Sequence, residues 1–139
     1  MKFLLDTNLV SEPLKPRPNP GVLRWLAETA EDAMFLSVAT LAELRHGIER
    51  LPESARKRRL DEWLGRDVPH RFFGRTLPVD DDIAHVWGIL AARRDAVGRP
   101  IGALDGFLAA TCAVHQLTLV SRDVADFAGS VARIVNPWT

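Results

Sequence analysis

Apolar and polar residues follow two patterns along this chain. Short runs made almost wholly of apolar residues predict buried strands, and longer segments with apolar residues three or four positions apart predict helices. We expect strands over residues 2–6, 33–38, 75–79, 117–121 and 132–137. We expect helices over residues 19–32, 40–51, 80–98 and 103–116, and a further one over the first half of 52–72.

The order of these elements indicates the fold class. Strands alternate with helices and are solidly apolar, which is typical of a parallel sheet covered on both faces. The sequence therefore predicts a three-layer α/β/α fold with a mainly parallel central sheet of four to five strands. The length of 139 residues suggests one domain, residues 1–139, that can bury a real core.

Composition and charge narrow the class of protein. Lys plus Arg and Asp plus Glu both number 18, which argues against general nucleic-acid binding through overall charge but leaves room for a local basic patch. The one cysteine, Cys112, allows no intrachain disulfide and fits a reducing compartment. The first apolar run stops at Asp6, too early for a secretion signal, and no run approaches a membrane span. We expect a cytoplasmic protein.

Acidic residues recur where the predicted strands end. Asp6 closes the first strand, Glu43 lies in the first turn of the predicted helix after the second strand, and Asp105 lies near the start of a helix. Asp123 and Asp126 follow the fourth strand. Because ligands of open parallel sheets bind beyond the carboxyl ends of the strands, we expect four of these acids to meet at one edge.

Each acid by itself also has a structural explanation. Asp6 could cap a helix that begins at Thr7. Thr40 and Glu43 fit a capping box, and Asp105 would favour the dipole of its helix. The acids after the fourth strand could organise a turn, or the second of them could cap a helix. Their joint convergence on one edge favours a function.

Converging carboxylates must be neutralised. Two unit charges 4 Å apart repel by about 4 kcal/mol at an effective dielectric near 20, so the cluster would take up protons or hold a cation. Oxygen ligands favour Mg²⁺ or Mn²⁺. Such ions activate water and stabilise the charge that develops at a phosphodiester, which predicts a nuclease.

Four segments of the chain carry a family resemblance. LLDTN, AELRHGIERL, ALDGFLAATC and SRDVADF with VARIVNPW resemble PIN domains. They resemble more closely the ribonuclease toxins of bacterial type II toxin–antitoxin pairs, the VapC group and its FitB-like branch. The resemblance implies that the catalytic and metal-ligating residues are Asp6, Glu43, Asp105 and Asp123. They would hold Mg²⁺, with Mn²⁺ as a substitute. Asp126 competes with Asp123 for the fourth position, and we favour Asp123.

Other residues are expected to support this site. The resemblance implies that Thr7 and Asn8 stabilise the turn that presents Asp6. It also implies that Ser121 hydrogen-bonds a carboxylate or the water on the metal.

Basic residues near the predicted site are candidates for RNA contact. Arg99, shortly before the Asp105 helix, is placed to meet a phosphate, and Arg45 is a further candidate. The basic run 55–59 is interpreted as a solvated helix face, with an RNA-backbone contact as the alternative.

The resemblance also implies partners. A cognate antitoxin would wrap the toxin and block the acidic pocket, and the toxin would form a homodimer. Operator DNA would be contacted only through the antitoxin. Two alternatives stand beside this hypothesis: a non-catalytic binding module with the same fold, and a phosphatase or phosphotransfer domain. The second is disfavoured because Asn8 stands where the common phosphatase signature has another Asp.

Overall fold

Five parallel strands form the centre of the protein in a computed structural model that describes residues 1–139. The sheet order is β3-β2-β1-β4-β5, and every neighbouring pair is parallel. The strands are β1 Phe3–Leu5, β2 Met34–Ser37, β3 Thr76–Leu77, β4 Thr118–Val120 and β5 Ile134–Val135. Helices flank this sheet, so the prediction of an α/β fold around a mainly parallel sheet is confirmed.

The five predicted helices lie close to their expected positions, and three short helices, the first, the fifth and the last, were not among those predicted. In chain order, the helices are α1 Thr7–Ser11, α2 Pro20–Glu28, α3 Val38–Glu49, α4 Ala55–Glu62, α5 Val68–Arg71, α6 Asp81–Ala96, α7 Ala103–His115 and α8 Val124–Phe127. Short 3₁₀ turns cover Glu12–Leu14 and Glu31–Ala33, and a π turn, Trp63–Asp67, joins α4 to α5. None of these helices has the length and apolar content needed to cross a bilayer.

Alternate residues of the inner strands supply two apolar cores. Leu5 of β1 and Val120 of β4 belong to one core, which α1, α2, the later turns of α3 and α5 cover. Leu4 and Leu119, their neighbours in the same strands, belong to the other core, beneath α7 and α8. Because successive strand side chains point to opposite faces, these inner strands are buried on both sides and read as continuous apolar runs.

The start of α3 differs from the prediction. Ser37 is the N-cap, and its Oγ accepts a hydrogen bond from the Ala39 N–H at 3.0 Å. The capping box expected from Thr40 and Glu43 is therefore wrong, because the helix begins two residues before the predicted start. Thr40 lies inside the helix with its hydroxyl buried and unpartnered, and Glu43 lies in the second turn instead of the first.

Packing between α6 and α7 fixes the first turn of α7. The Trp87 ring stacks on Phe107 with ring centroids 5.3 Å apart, and its indole N–H donates to the Ala103 carbonyl at 3.1 Å. Gly106 makes this approach possible, since a Cβ there would lie 2.6 Å from the indole nitrogen. Asp105 is thus held on a turn that the neighbouring helix anchors.

A buried carboxylate fastens the end of the chain. Glu12 is only 3% exposed. It accepts hydrogen bonds from the Asn19 N–H at 3.1 Å and the Trp138 indole at 3.4 Å, and it pairs with Lys15 at 3.0 Å. Burial acts to raise the pKa of Glu12, but the hydrogen bonds and charge of Lys15, with the bonds from Asn19 and Trp138, hold it below its usual value.

The same region receives the last residue. Asn19 caps α2 through bonds from the Gly21 and Val22 N–H groups at 3.0 and 3.2 Å, and its Nδ2 donates to the Thr139 carbonyl at 3.0 Å. Asn19 is thus the N-cap of α2, and Pro20 occupies its first helical position. The C-terminal residues therefore pack on the start of α2.

We predict that Glu12→Gln lowers the free energy of unfolding by about 1–3 kcal/mol near neutral pH, because hydrogen bonds to a buried charge are removed. The lowered pKa means that the carboxylate's contribution is complete above about pH 4.3, the usual Glu value. The contribution disappears as the pH falls through the lower value of the folded state. Urea denaturation across this range measures the difference. Glu28→Gln, an exposed position on α2, is the control, and an equal effect of both variants would contradict the prediction.

Candidate active site

Asp6 stands at the carboxyl end of β1 with both carboxylate oxygens held. Its backbone N–H donates to the Val120 carbonyl at 3.0 Å, which continues the pairing of β1 with β4. Oδ1 accepts from the Thr7 N–H at 2.7 Å, and Oδ2 accepts from the Ser121 hydroxyl at 2.6 Å. The side chain is buried, and it also caps α1. Asp6 thus caps a helix, as its structural explanation expected, and it also lies at the predicted edge of the sheet.

Ser121 joins this carboxylate to the loop after β4. It is fully buried, and its N–H donates to the Val135 carbonyl at 3.0 Å. Its Oγ donates to Asp6 and also accepts from the Asp123 N–H at 3.0 Å. Asp123 is the N-cap residue of α8, but its side chain makes no capping bond. The Asp123 carboxylate is therefore not used to cap this helix.

Glu43 is connected to the same place through Thr7. The Thr7 hydroxyl donates a hydrogen bond to Glu43 Oε1 across 36 positions of sequence. Thr7 was expected only to support Asp6. No pattern in the sequence signals its bond to Glu43, because the two residues are far apart along the chain. The expected contribution of Asn8 is wrong: its side chain is exposed and makes no hydrogen bond, and its carbonyl instead accepts a bond from the Ser11 hydroxyl at 3.4 Å.

The electrostatics of Asp105 show that these acids share one neighbourhood. Burial, foremost, and then the charges of Asp6, Glu43, Asp123 and Asp126 raise the pKa of Asp105 to about 6. Charges much farther apart than a Debye length of about 10 Å would not act on one another in this way.

The pKa of Asp6 is raised as well. Burial is the main cause, and the charges of Asp123 and Glu43 add to it. The hydrogen bonds from Ser121 and Thr7 act in the opposite direction, because they stabilise the ionised form. Folding thus places the four predicted acids where their charges act on one another, and it makes ionisation of Asp6 and Asp105 harder.

The structure separates the two candidates for the fourth acidic position. The charge of Asp123 helps to raise the pKa of both Asp6 and Asp105, and on Asp105 it has a larger effect than the charge of Asp126. Asp126 is exposed and lies inside α8, so its expected role as a helix cap is wrong. Asp123 remains the candidate that we favour for the fourth position.

No cation of the protein compensates this cluster. None of its salt bridges includes any of the five acids. The donors are carboxylate oxygens, which suit Mg²⁺ or Mn²⁺ in hardness and charge. As the side chains stand, no three His, Cys, Asp or Glu residues form a ready-made cage for an ion. The donor set fits a divalent cation chemically, and the carboxylates would have to close on it.

The arginines expected to contact RNA lie in different settings. Arg99 donates to the carbonyl of Ala125 at 3.3 Å, in the short helix α8 that follows Asp123. Arg45 is paired with Asp61 at 2.5 Å and Glu49 at 3.2 Å. The position of Arg99 is compatible with a phosphate contact, whereas two carboxylates already occupy the Arg45 guanidinium.

One arginine was not expected to have a structural role. The Arg94 guanidinium donates to the Asp126 carbonyl at 3.0 Å, to Ser130 Oγ at 2.9 Å and to the Arg99 carbonyl at 2.6 Å. It braces the segment around α8. Its partners lie in other elements, so helical spacing could not reveal this role.

Comparison with known proteins identifies related sequences and folds. A family model described as PIN domain matches residues 3–128. The chain is 38% identical to toxin FitB of Neisseria gonorrhoeae over 98% of both chains. It is 35% identical to VapC ribonuclease Y4jK of Sinorhizobium fredii over 98% of this chain and 97% of that one. The structure of FitAB bound to an IR36 DNA fragment matches with a TM-score of 0.91 and 36% identity, over 99% of this chain and 96% of that chain.

We predict that Asp105→Asn stabilises the metal-free protein. With a folded pKa of about 6 against an unfolded value near 3.9, the folded state binds more protons in this window. Stability attributable to Asp105 therefore falls as the pH rises from about 4 to about 6. At pH 7.5 in EDTA the variant should gain on the order of 1–2 kcal/mol, a figure reduced for solvent screening, and it should gain nothing at pH 4.

Urea denaturation of metal-free samples at both pH values tests this prediction. Asp95→Asn, an exposed position near the end of α6, is the matched control and should change little at either pH. A loss of stability in Asp105→Asn at pH 7.5 would contradict the repulsion described here.

Proposed function

Because the chain belongs to the PIN-domain family, in the branch of the FitB and VapC toxins, we propose that it is a metal-dependent endoribonuclease that acts as the toxin of a toxin–antitoxin pair. One observation carries the proposal. Acids from four separate segments act on one another with no salt-bridged cation among them, and burial, followed by these like charges, raises the pKa of Asp6 and of Asp105. The names of the relatives, a toxin and a ribonuclease, support the choice of activity.

The residues that would hold the ion are Asp6, Glu43, Asp105 and Asp123. When bound, Mg²⁺ or Mn²⁺ lowers the pKa of water and offsets the charge that develops on a phosphodiester. The chain supplies orientation: Asp6 is fixed on both oxygens, and Thr7 holds the Glu43 carboxylate. Preorganised groups of this kind cost little rearrangement during reaction.

Asp105 gives metal binding a pH dependence. Near pH 6 a large share of this carboxyl carries a proton, and a ligand must lose its proton before it binds a cation. Metal affinity therefore rises with pH through this region.

The two serines near the sheet edge, Ser37 and Ser121, are engaged as a helix cap and as the link to Asp6. Direct attack by water, without a covalent intermediate, fits this arrangement.

We propose the partners by the same reasoning. A cognate antitoxin would cover the acidic pocket with its C-terminal segment and make the contacts to operator DNA, and the toxin would form a homodimer. The relative FitAB was solved bound to DNA. The zero formal net charge of this chain fits a division of labour in which the antitoxin supplies the DNA-binding surface. We place the protein in the cytoplasm, in accord with its single buried cysteine.

A non-catalytic binding module of the same fold is the alternative. In such a protein the acids would serve only as caps and solvated groups. Titration with Mn²⁺ distinguishes the two, since dispersed acids bind no divalent ion tightly.

We predict that expression of the wild type arrests growth and degrades cellular RNA, and that Asp6→Asn and Asp105→Asn do neither. In vitro, each substitution should slow Mg²⁺- or Mn²⁺-dependent RNA cleavage by a factor on the order of 10²–10³, the loss seen when one charge-stabilising group is removed. Circular dichroism confirms that the variants fold, and Asp95→Asn serves as a control that keeps activity. Equal arrest by the wild type and both variants would eliminate the hydrolytic function.

Ser121→Ala is expected to weaken Mn²⁺ binding by about 10–100-fold, the usual cost of removing a group that orients a metal ligand. The cleavage rate at saturating Mn²⁺ should change much less, since every ligand is retained. Calorimetric titration and the Mn²⁺ dependence of the rate give the two quantities. Thr29→Ala, which removes a hydroxyl bonded to the Trp25 carbonyl in α2, should leave both unchanged. Normal Mn²⁺ affinity in Ser121→Ala would refute the orienting role.

A further inference from the structure

The short helix α8 has carbonyl groups that its own backbone cannot satisfy. It spans only four residues, and the last four carbonyls of a helix have no partner within it. Arg94 donates to the Asp126 carbonyl at 3.0 Å, and Arg99 donates to the Ala125 carbonyl at 3.3 Å. Two side chains that lie 32 and 26 positions earlier in the chain therefore fasten α8.

Arg94 is the more extensively bonded of these two arginines. Its Nη1 also donates to Ser130 Oγ at 2.9 Å, and its Nε donates to the Arg99 carbonyl at 2.6 Å. The backbone adds a bond in the other direction, because the Arg99 N–H donates to the Arg94 carbonyl at 2.9 Å. A single side chain thus joins α6, the connection from α6 to α7 and the segment around α8.

The turn after α6 brings Arg99 back to Arg94. Gly98 has a φ of +72°, and its N–H donates to the Asp95 carbonyl at 3.0 Å. Together with the backbone bond from Arg99 to Arg94, this bond completes a Schellman ending, which reverses the chain directly after the helix. The contact of the Arg94 side chain with the connection is therefore part of how α6 ends.

The two segments that Arg94 joins lead to two of the acids of the candidate site. Asp105 lies in the first turn of α7, directly after the connection of residues 97–102. Asp123 directly precedes α8, and its carbonyl accepts from the Asp126 N–H at 3.1 Å. Arg94 itself forms no salt bridge. Its effect on the two acids must therefore pass through the backbone.

The segment that carries Asp123 has one anchor at each end. At its start, the Asp123 N–H donates to Ser121 Oγ at 3.0 Å. At its far end, Arg94 bonds Asp126 and Ser130. The Asp123 side chain makes no capping bond of its own. The place of its carboxylate therefore depends on where these two anchors hold the backbone.

We propose that Arg94 is a positioning residue that fixes Asp123 relative to Asp105 and thereby raises the affinity of the candidate site for Mg²⁺ or Mn²⁺. The inference rests on the proposed function and adds to it a residue outside the acidic cluster. Arg94 takes no part in the chemistry. A ligand that is already in place loses less freedom when the ion binds, and groups that orient metal ligands contribute to affinity in this way.

The charge of Arg94 and its hydrogen bonds predict opposite effects on metal affinity. A cation near a metal site repels the incoming ion, so removal of the positive charge by itself should strengthen Mn²⁺ binding. Loss of the hydrogen bonds should weaken it, because Asp123 would no longer be held. Arg93 is the matched control: it is the preceding residue of α6, is exposed and forms no salt bridge.

Calorimetric titration with Mn²⁺ at pH 7.5 compares the wild type with Arg94→Met, Arg94→Lys and Arg93→Met. Arg94→Met should weaken binding about tenfold, the lower end of the loss caused by removing a group that orients a metal ligand. Arg94→Lys should also weaken it, since an ammonium group keeps the charge but lacks the planar fork that reaches several acceptors. Arg93→Met should bind Mn²⁺ as tightly as the wild type or slightly more tightly. Melting temperatures verify that all variants are folded during the titration.

Hydrogen exchange in EDTA tests the bracing without metal. Peptides that cover residues 123–131 should exchange faster in Arg94→Met than in the wild type, because the bonds that hold this segment closed are lost. Peptides from β1 should exchange at the same rate in both proteins. Unchanged exchange over residues 123–131 would contradict the bracing on which the inference depends.

Normal or tighter Mn²⁺ binding in Arg94→Met would overturn the inference, even with a lowered melting temperature, because Arg94 would then serve stability alone. The proposed function fails by a different result. A wild type that binds Mn²⁺ but cuts no RNA would defeat the ribonuclease activity, whereas the comparison of Mn²⁺ affinities would still judge Arg94. A wild type that binds no Mn²⁺ would overturn both.

Discussion

Repulsion among carboxylates at one edge of the sheet is the constraint on which the rest of the site depends. Asp6 is buried beside other acids, a placement that opposes its ionisation, and two hydrogen bonds counter this effect. The bond from Ser121 exists only because β1 pairs with β4, which brings Ser121 next to Asp6. The sheet register therefore sets the electrostatics of the candidate site, and the like charges that meet at this edge lower local stability.

The same elements serve the core and the site. On α3, Leu44 and Ile48 enter the core, while Glu43 bonds Thr7 in the acidic cluster. On β1, Leu5 is buried immediately before Asp6. Side chains carried on packed elements keep their positions better than side chains on free loops. The core thus sets the arrangement of the acids, and removing an acid need not disturb the core.

Sequence patterns revealed the parts of this arrangement that neighbouring residues determine. The fully apolar strands indicated a parallel sheet, and the acids after them indicated the edge at which the candidate site lies. The patterns misplaced the start of α3, since Ser37 and Thr40 are both plausible caps and only the folded backbone decides between them. They also could not show that Thr7 bonds Glu43, or that Glu12 bonds Trp138, since these partners lie 36 and 126 positions apart. Such contacts arise from the folded chain and leave no periodic signal.

The Ser121 hydroxyl connects two separate segments of the candidate site. A hydroxyl has a single proton to give, and here Asp6 receives it while the oxygen accepts the Asp123 N–H in return. The two hydrogen bonds therefore run in one direction, from the Asp123 N–H after β4 through the hydroxyl to the Asp6 carboxylate after β1. A proton on Asp6 Oδ2 would turn that oxygen into a donor, and the Ser121 oxygen has lone pairs for both Asp6 and the Asp123 N–H. The carboxylate after β1 and the loop after β4 therefore share one hydroxyl group, whose orientation depends on the protonation of Asp6.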